Sequence, residues 1–502
     1  MAGSVIGGSR PALAAPFRYP RSIREDDAVD LNLTLRLRGL LATYKGLRDD
    51  SGLTPQKRGQ AFNTLIADVL KAWGHDARPS VIGVGGRDET DVFFTIGHNY
   101  ILEAKWEADP LSADPLTKLS ERLSTRPPGT RAIVLSATGF NSNALEWINR
   151  HNELLLMDSS HIEAALCGLL DPEELLHRLY GETAASGNRL VPLADIVVPR
   201  HAEPDVPVLT RTATAPPPWP IVKTSAEGVD ASVEFTGVWQ SDQHPSGISA
   251  APANRLLITT NAGVIELHTT TGKIKWALAL PGTEDRAVRS IDGSVTVLCR
   301  GALVRWHPKT RDLQLVAGGF GGYATLEAGR DGTLWVYNQV GGLADGSVTI
   351  NRIGERPGDE TRHDVPFPNG MRAIHLGDER HFLSGTGRST PIDVSKNPSA
   401  DKEDWIDSAV PDPRAATGPD EYTILAAGIR SSVDGSLQRL DLRQAPDWTE
   451  LLTFTANRAT DLTMKRTSAA RAEGWLLADA SGNTQKPTPV LVKLTLTPTS
   501  PS

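Results

Sequence analysis

Cysteine is nearly missing from this chain: 502 residues contain only Cys167 and Cys299. That count rules out a disulfide framework, and without a Cys-x-x-Cys pair the usual zinc-ligand spacing is absent too. Cysteine use of this kind predicts a reducing, cytoplasmic setting. Long hydrophobic runs are also lacking. Nowhere do about 18 uncharged apolar residues follow one another, so no membrane span is predicted. The opening MAGSVIGGSRPALAAPFRYP has no basic segment leading into a long apolar run, and a signal peptide is not expected. Basic excess is missing as well, the net charge being −8. Any contact with nucleic acid must then rest on a local basic groove rather than on the overall field.

What is present reads as a globular protein of more than one domain. The hydrophobic fraction is 39% and the charged fraction 22%, and the length exceeds one ordinary core. Residues 1–30 are rich in Gly, Ala, Pro and Arg without periodicity and read as a mobile arm. Residues 31–185 alternate helix-like and strand-like stretches. Residues 186–224 hold the Pro-rich passage VPRHAEPDVPVLTRTATAPPPWPIV, which reads as a semi-rigid spacer across which few core contacts should pass. From 225 to 499 short β-like runs alternate with Gly, Asn and Asp turns.

The first of these regions carries the chemistry. In ETDVFFTIGHNYILEAKW, the runs DVFFTI and YILEAKW flank Gly97, His98 and Asn99, which predicts a β-hairpin. Side chains two apart on a strand share a face, so Glu103 and Lys105 point the same way. Pairing across the hairpin brings Asp91 beside them. Two carboxylates suit Mg²⁺, and an adjacent ammonium can orient water or steady charge on a phosphate. The backbone carbonyl of Ala104 is a candidate third metal ligand. Gln60 and Asn63, on the preceding helix-like stretch, are candidate accessory residues. Arg58, Arg87, Lys118 and Arg122 are candidates for meeting DNA phosphates, though each also reads as an ordinary solvated charge.

The pattern D-x(11)-E-A-K resembles the PD-(D/E)xK nuclease signature, and its surroundings resemble the Mrr-type restriction endonucleases. A helix-like stretch, RGQAFNTLIADVLKAWG, precedes the hairpin. After it come a helix over Pro115–Arg126, the strand AIVLSATGF and the helix NSNALEWINRH. The likeness spans roughly residues 30–180. It implies an α/β restriction-endonuclease-like fold and Mg²⁺-dependent DNA cleavage, with Mn²⁺ as a substitute and Asp91, Glu103 and Lys105 as the catalytic set. It also implies a role in defence against foreign DNA. Asn63 stands where the family often has glutamate. A non-catalytic scaffold of the same fold is the alternative.

The C-terminal half reads as an all-β propeller of six blades, with seven left open. LLITTNAGVIELHTTTGKIKWALAL is the clearest unit, and VTVLCRGALVRWHPKTRDLQLVAG repeats its pattern. Gly263–Trp276 resembles the quinoprotein-type repeat, but no ligand set for that cofactor accompanies it. VEFTGVWQ is a candidate strand for closing the ring. Trp276, Trp306, Trp335 and Trp475 are expected to dock blades together. A protein partner or ligand at the propeller is expected and a homo-oligomer is left open.

Overall fold

The computed structural model describes residues 31–49, 52–83, 89–151, 153–198 and 245–321, and elsewhere the strands named below with a few adjoining residues. The arm read at 1–30 lies outside the described residues. The chain begins with α1 (Leu31–Asp49) and α2 (Pro55–Ala72). The Thr54 hydroxyl accepts from the Lys57 N–H at 3.3 Å, and Pro55 follows it in the first turn, where no N–H is needed. Along α2 the apolar residues Phe62, Leu65, Ile66, Val69 and Leu70 recur at helical spacing and bury one face.

A five-stranded sheet follows, ordered β1 (Asp76–Ile82), β2 (Glu89–Ile96), β3 (His98–Lys105), β4 (Arg131–Ser136) and β5 (Leu154–Asp158). The first three strands are antiparallel, and β4 and β5 run parallel to β3. The expected hairpin is there, with a tighter turn than the sequence suggests. Only Gly97 lies outside the strands, at φ +64°, and His98 already pairs with Ile96. The parallel strands are joined by α3 (Ala113–Ser124) and α4 (Ser142–Ile148). Asn141 caps α4 by accepting from the Ala144 N–H at 2.9 Å. Then come α5 (Ser159–Leu166), α6 (Pro172–Ser186) and α7 (Leu193–Val197).

Alternation along the strands sorts two cores. Val92, Phe94, Leu102 and Ala104 join Phe62, Leu65 and Ile66 of α2 on one face. Ile101, Ala132 and Val134 join Leu116 and Leu119 of α3 on the other, with Phe93 packed against them. Asp91 and Glu103 share the parity of Phe93 and Ile101, so they lie on the α3 face.

Residues 186–224 are more than a spacer. They contain α7, whose Leu193, Ile196 and Val197 are buried, and two short strands, β6 (Val208–Arg211) and β7 (Ile221–Val222). Both strands add to the outer edge of a propeller sheet, the one place where neighbouring prolines are tolerated. Next comes β8 (Val229–Gln240). Six antiparallel sheets then follow in sequence, with strands over 245–278, 283–317, 324–366, 372–407, 414–455 and 458–498. Each of the first five is a four-stranded meander, the fifth extended by β7. The last has three strands from its own segment, β8 supplies the fourth, and β6 lies outside β8. VEFTGVWQ, the candidate closing strand, is the last eight of the 12 residues of β8. The architecture is an α/β nuclease-like unit followed by a six-sheet β-propeller among the described residues. No described helix is long and apolar enough to cross a membrane.

The two halves pack against each other, contrary to the expectation that few contacts cross. Arg300 Nη1 meets Glu174 Oε2 at 2.6 Å, Arg311 donates to the Val198 carbonyl at 3.1 Å, and Arg48 pairs with Asp359. One apolar cluster includes Cys167, Leu170 and Val198 as well as Trp306, Leu313 and Leu315. A proline-rich composition restricts local backbone, but says nothing about surfaces elsewhere in the chain. Backbone from one half lies close against the other at Gly318, where an added Cβ would stand 2.3 Å from Cys167 Cβ. Gly318→Val is therefore expected to cost about 1–3 kcal/mol by overpacking. Thermal unfolding checks this, and an unchanged melting temperature would show that the contact is not tight.

Candidate active site

Asp91 and Glu103 stand just past the end of the β2–β3 ladder, whose last pair is Val92 with Leu102. Beyond that pair each strand keeps its other neighbour, Glu103 opposite Val134 of β4 and Thr90 opposite Val81 of β1, so the two strands part from each other while both stay in the sheet. Asp91 Oδ2 accepts from the Ala104 N–H at 2.9 Å, which ties the carboxylate to the opposite strand. The same oxygen lies 3.3 Å from Lys105 Nζ, and Lys105 Nζ lies 2.7 Å from Glu103 Oε1. The ammonium thus bridges both carboxylates. The side chains are 14% exposed for Asp91 and Glu103 and 28% for Lys105, so the cluster is half-sunk yet reachable.

Burial and the nearby Glu103 charge push Asp91 above the ordinary carboxylate range, against the pull of Lys105 and the Ala104 N–H. Burial alone would lower Lys105, but Glu103 and Asp91 outweigh it and raise the ammonium above its usual value. Lys105 is therefore a fixed cation at neutral pH. Two carboxylates that share one ammonium have electrostatic reason to accept a further cation.

The fourth member of the cluster is Arg122, from the last turn of α3. Its Nη1 lies 2.8 Å from Glu103 Oε2. In the sequence Arg122 reads as a candidate phosphate contact, and in the structure it pairs with Glu103. The signal is there in the spacing: Arg122 continues the i, i+3 row of Leu116 and Leu119 that faces the sheet. Lys118, one turn earlier, is exposed, Arg58 is half-buried, and Arg87 lies outside the described residues.

Gln60 is exposed on α2. Asn63 is buried, and its Oδ1 has no hydrogen-bond partner. The neighbouring Phe62 ring meets Trp106 edge-on at 4.8 Å, so this turn of α2 lies beside the end of β3, on its Ala104 face. Ser136 braces its own loop by donating to the Gly139 carbonyl at 2.7 Å. Among the described residues no group of three or more His, Cys, Asp or Glu side chains is placed to hold a metal, so the acidic part of the site is the pair Asp91 and Glu103. Histidine has structural duties: His161 is buried, with Nδ1 2.8 Å from Asp158 Oδ1 in the cap of α5.

Residues 56–166 match the family Mrr_cat, restriction endonuclease. No curated protein matches the chain. Among solved structures, regucalcin, a calcium-binding protein from Agrobacterium tumefaciens str. C58, is similar at 15% identity and TM-score 0.37, over 52% of this chain and 95% of that one. The WD40 domain of Toxoplasma gondii coronin is similar at 12% and 0.34, over 55% of this chain and 80% of that one. Oligogalacturonate lyase in complex with manganese is similar at 11% and 0.35, over 55% and 96%.

Proposed function

We propose that this protein is a Mg²⁺-dependent DNA endonuclease whose reaction, phosphodiester hydrolysis, is carried out by Asp91, Glu103 and Lys105. The observation that carries this reading is the convergence of two half-buried carboxylates on one ammonium, at 3.3 and 2.7 Å. Sinking two carboxylates beside one another costs folding energy, and such clusters are concentrated at functional sites. The match of residues 56–166 to a restriction endonuclease family supports it.

The residues fit a hard divalent cation. Asp91 and Glu103 offer charged oxygens and repel one another, and Asp91 is held in place by the Ala104 N–H. Asp91 and Glu103 would hold the ion, with the Ala104 carbonyl as a further oxygen and Mn²⁺ as a substitute. When bound, the ion supplies Lewis-acid polarisation of the phosphate and a more acidic water. Lys105, permanently charged, orients the attacking water and stabilises negative charge growing on the phosphate oxygens. Asn63 is an accessory neutral oxygen near the end of β3. Lys118 and Arg58 steer the DNA backbone.

The restriction-endonuclease likeness favours defence against foreign DNA as the setting. The propeller, packed on the nuclease-like unit through Glu174, Val198 and Arg48, is a sensor or docking module for a protein partner. That assignment rests on architecture alone. A second reading has support in one observation. Both Glu103 oxygens already face cations, as in a closed ion-pair network that braces a non-catalytic scaffold.

Chelation separates the two. The purified full chain should cut plasmid or linear DNA with Mg²⁺ or Mn²⁺, stop in EDTA, and resume when metal is restored. Failure with every DNA form offered, while the protein is folded, favours the scaffold.

A further inference from the structure

The site balances its own charge before any metal arrives. Asp91 and Glu103 contribute two negative charges, and Lys105 and Arg122 contribute two positive ones. Glu103 is engaged at both oxygens, by Lys105 at 2.7 Å and by Arg122 at 2.8 Å. Arg122 is itself mostly buried, with 17% of its side chain exposed, and comes from a different element than the rest. Lys105 has a second carboxylate to hold, but Glu103 is the acceptor found for the Arg122 guanidinium. Arg122 thus occupies an oxygen that a divalent cation would need.

We propose that Arg122 is a positioning residue that holds Glu103 in the free protein and transfers to a substrate phosphate when metal and DNA bind. A guanidinium is suited to this exchange. It pairs with carboxylate and phosphate through the same two-pronged geometry and keeps its charge throughout. While it sits on Glu103, adding a dication to a neutral site is resisted. Once a phosphate draws it away, Glu103 is released and the metal gains a full carboxylate. Metal and DNA then favour one another's binding, and by linkage the coupling is equal in both directions. Arg122 keeps Glu103 oriented in the free chain and holds the phosphate in the loaded one, so a residue that weakens metal binding alone still serves the complex. This inference rests on the nuclease reading for the identity of the phosphate, but its metal arm does not require cleavage.

The test is direct Mn²⁺ binding to the full chain, followed by electron paramagnetic resonance or calorimetry, without and with a DNA duplex carrying uncleavable linkages. In the parent, Mn²⁺ should bind weakly alone and more tightly with the duplex. Arg122→Gln should bind Mn²⁺ alone about tenfold or more tighter and lose most of the gain from DNA. Arg122→Lys, which keeps the charge, should bind Mn²⁺ alone within a few-fold of the parent. It also serves as the folded comparison if Arg122→Gln proves unstable. A parent that binds Mn²⁺ equally well with and without DNA, or an Arg122→Gln protein of unchanged or weakened affinity, overturns the proposal. So does the absence of Mn²⁺ binding in parent and variants alike. A parent that shows the predicted binding but cuts no DNA overturns the nuclease reading and leaves the role of Arg122 in metal binding standing.

Discussion

Glu103→Gln and Lys105→Ala should each lower single-turnover DNA cleavage by at least about a hundredfold, the usual loss when one charge-stabilising group is removed from an active site. The two variants fail for different reasons. Glutamine offers Mg²⁺ a neutral oxygen in place of a charged one, so Glu103→Gln should raise the metal concentration needed as well as slow the rate. Alanine at 105 removes the cation that bridges Asp91 and Glu103, so Lys105→Ala should be slow even at saturating metal. Stability should separate them further. Lys105→Ala leaves two half-buried carboxylates without their common partner and should be destabilised. Asp91→Asn should not be. The Asp91 carboxyl is raised in the folded state, so its contribution to stability is full below the unfolded value and is lost as pH rises through the folded one. At neutral pH its charge opposes folding, and the neutral amide removes that penalty. Cleavage rates against metal concentration, with melting temperatures alongside, check the set. A Lys105→Ala protein that cuts as fast as the parent would remove lysine from the mechanism.

The largest effect on stability should come from Trp239→Ala, at about 3–5 kcal/mol. Trp239 is on β8, the strand that precedes the propeller yet forms the fourth strand of its last sheet, between the strand Pro489–Pro498 and β6. It is 4% exposed and belongs to a cluster with Ile248, Leu256, Ile258, Ile265 and Leu267 of the first sheet and Trp475, Leu477 and Leu491 of the last. One side chain therefore spans the seam where the ring closes. Its indole N–H is satisfied by the Gln243 carbonyl at 3.1 Å, so removing it forfeits a hydrogen bond as well as buried area. Closure also hides the edge of the last sheet, and a loosened β8 would expose a pairing template. Aggregation on heating, at a lower temperature than the parent, is the expected sign. Denaturant unfolding with a midpoint equal to the parent would show that the ring does not depend on this seam.

Periodicity makes much of this legible in the amino-acid sequence alone. The leucines and isoleucines of α2, the alternation in β2 and β3, and the repeated turn chemistry after residue 245 each identify an element by its burial pattern. Trp306, Trp335 and Trp475 are buried in the propeller sheets, and Trp276 packs against the seam cluster, as blade-docking residues should. Asp91, Glu103 and Lys105 stand out through strand parity and spacing, and their side chains do converge. Contacts between elements far apart in the chain carry no such signal. Arg122 reaches Glu103 from α3, 19 positions away, and resembles any other basic residue on a helix surface. The docking of Cys167 against Gly318 depends on two surfaces that carry no local signature. The prolines of 198–222 signal restricted backbone correctly, but the short strands β6 and β7 exist only because a sheet edge elsewhere accepts them.

The central claim is that Asp91, Glu103 and Lys105 hydrolyse DNA with a bound divalent metal. Its most direct test is the single-turnover cleavage rate of the full chain in Mg²⁺, measured beside Asp91→Asn on the same DNA. The account predicts metal-dependent cuts by the parent and at least about a hundredfold slower cutting by a variant that melts at or above the parent temperature. Equal rates for the two proteins would contradict it.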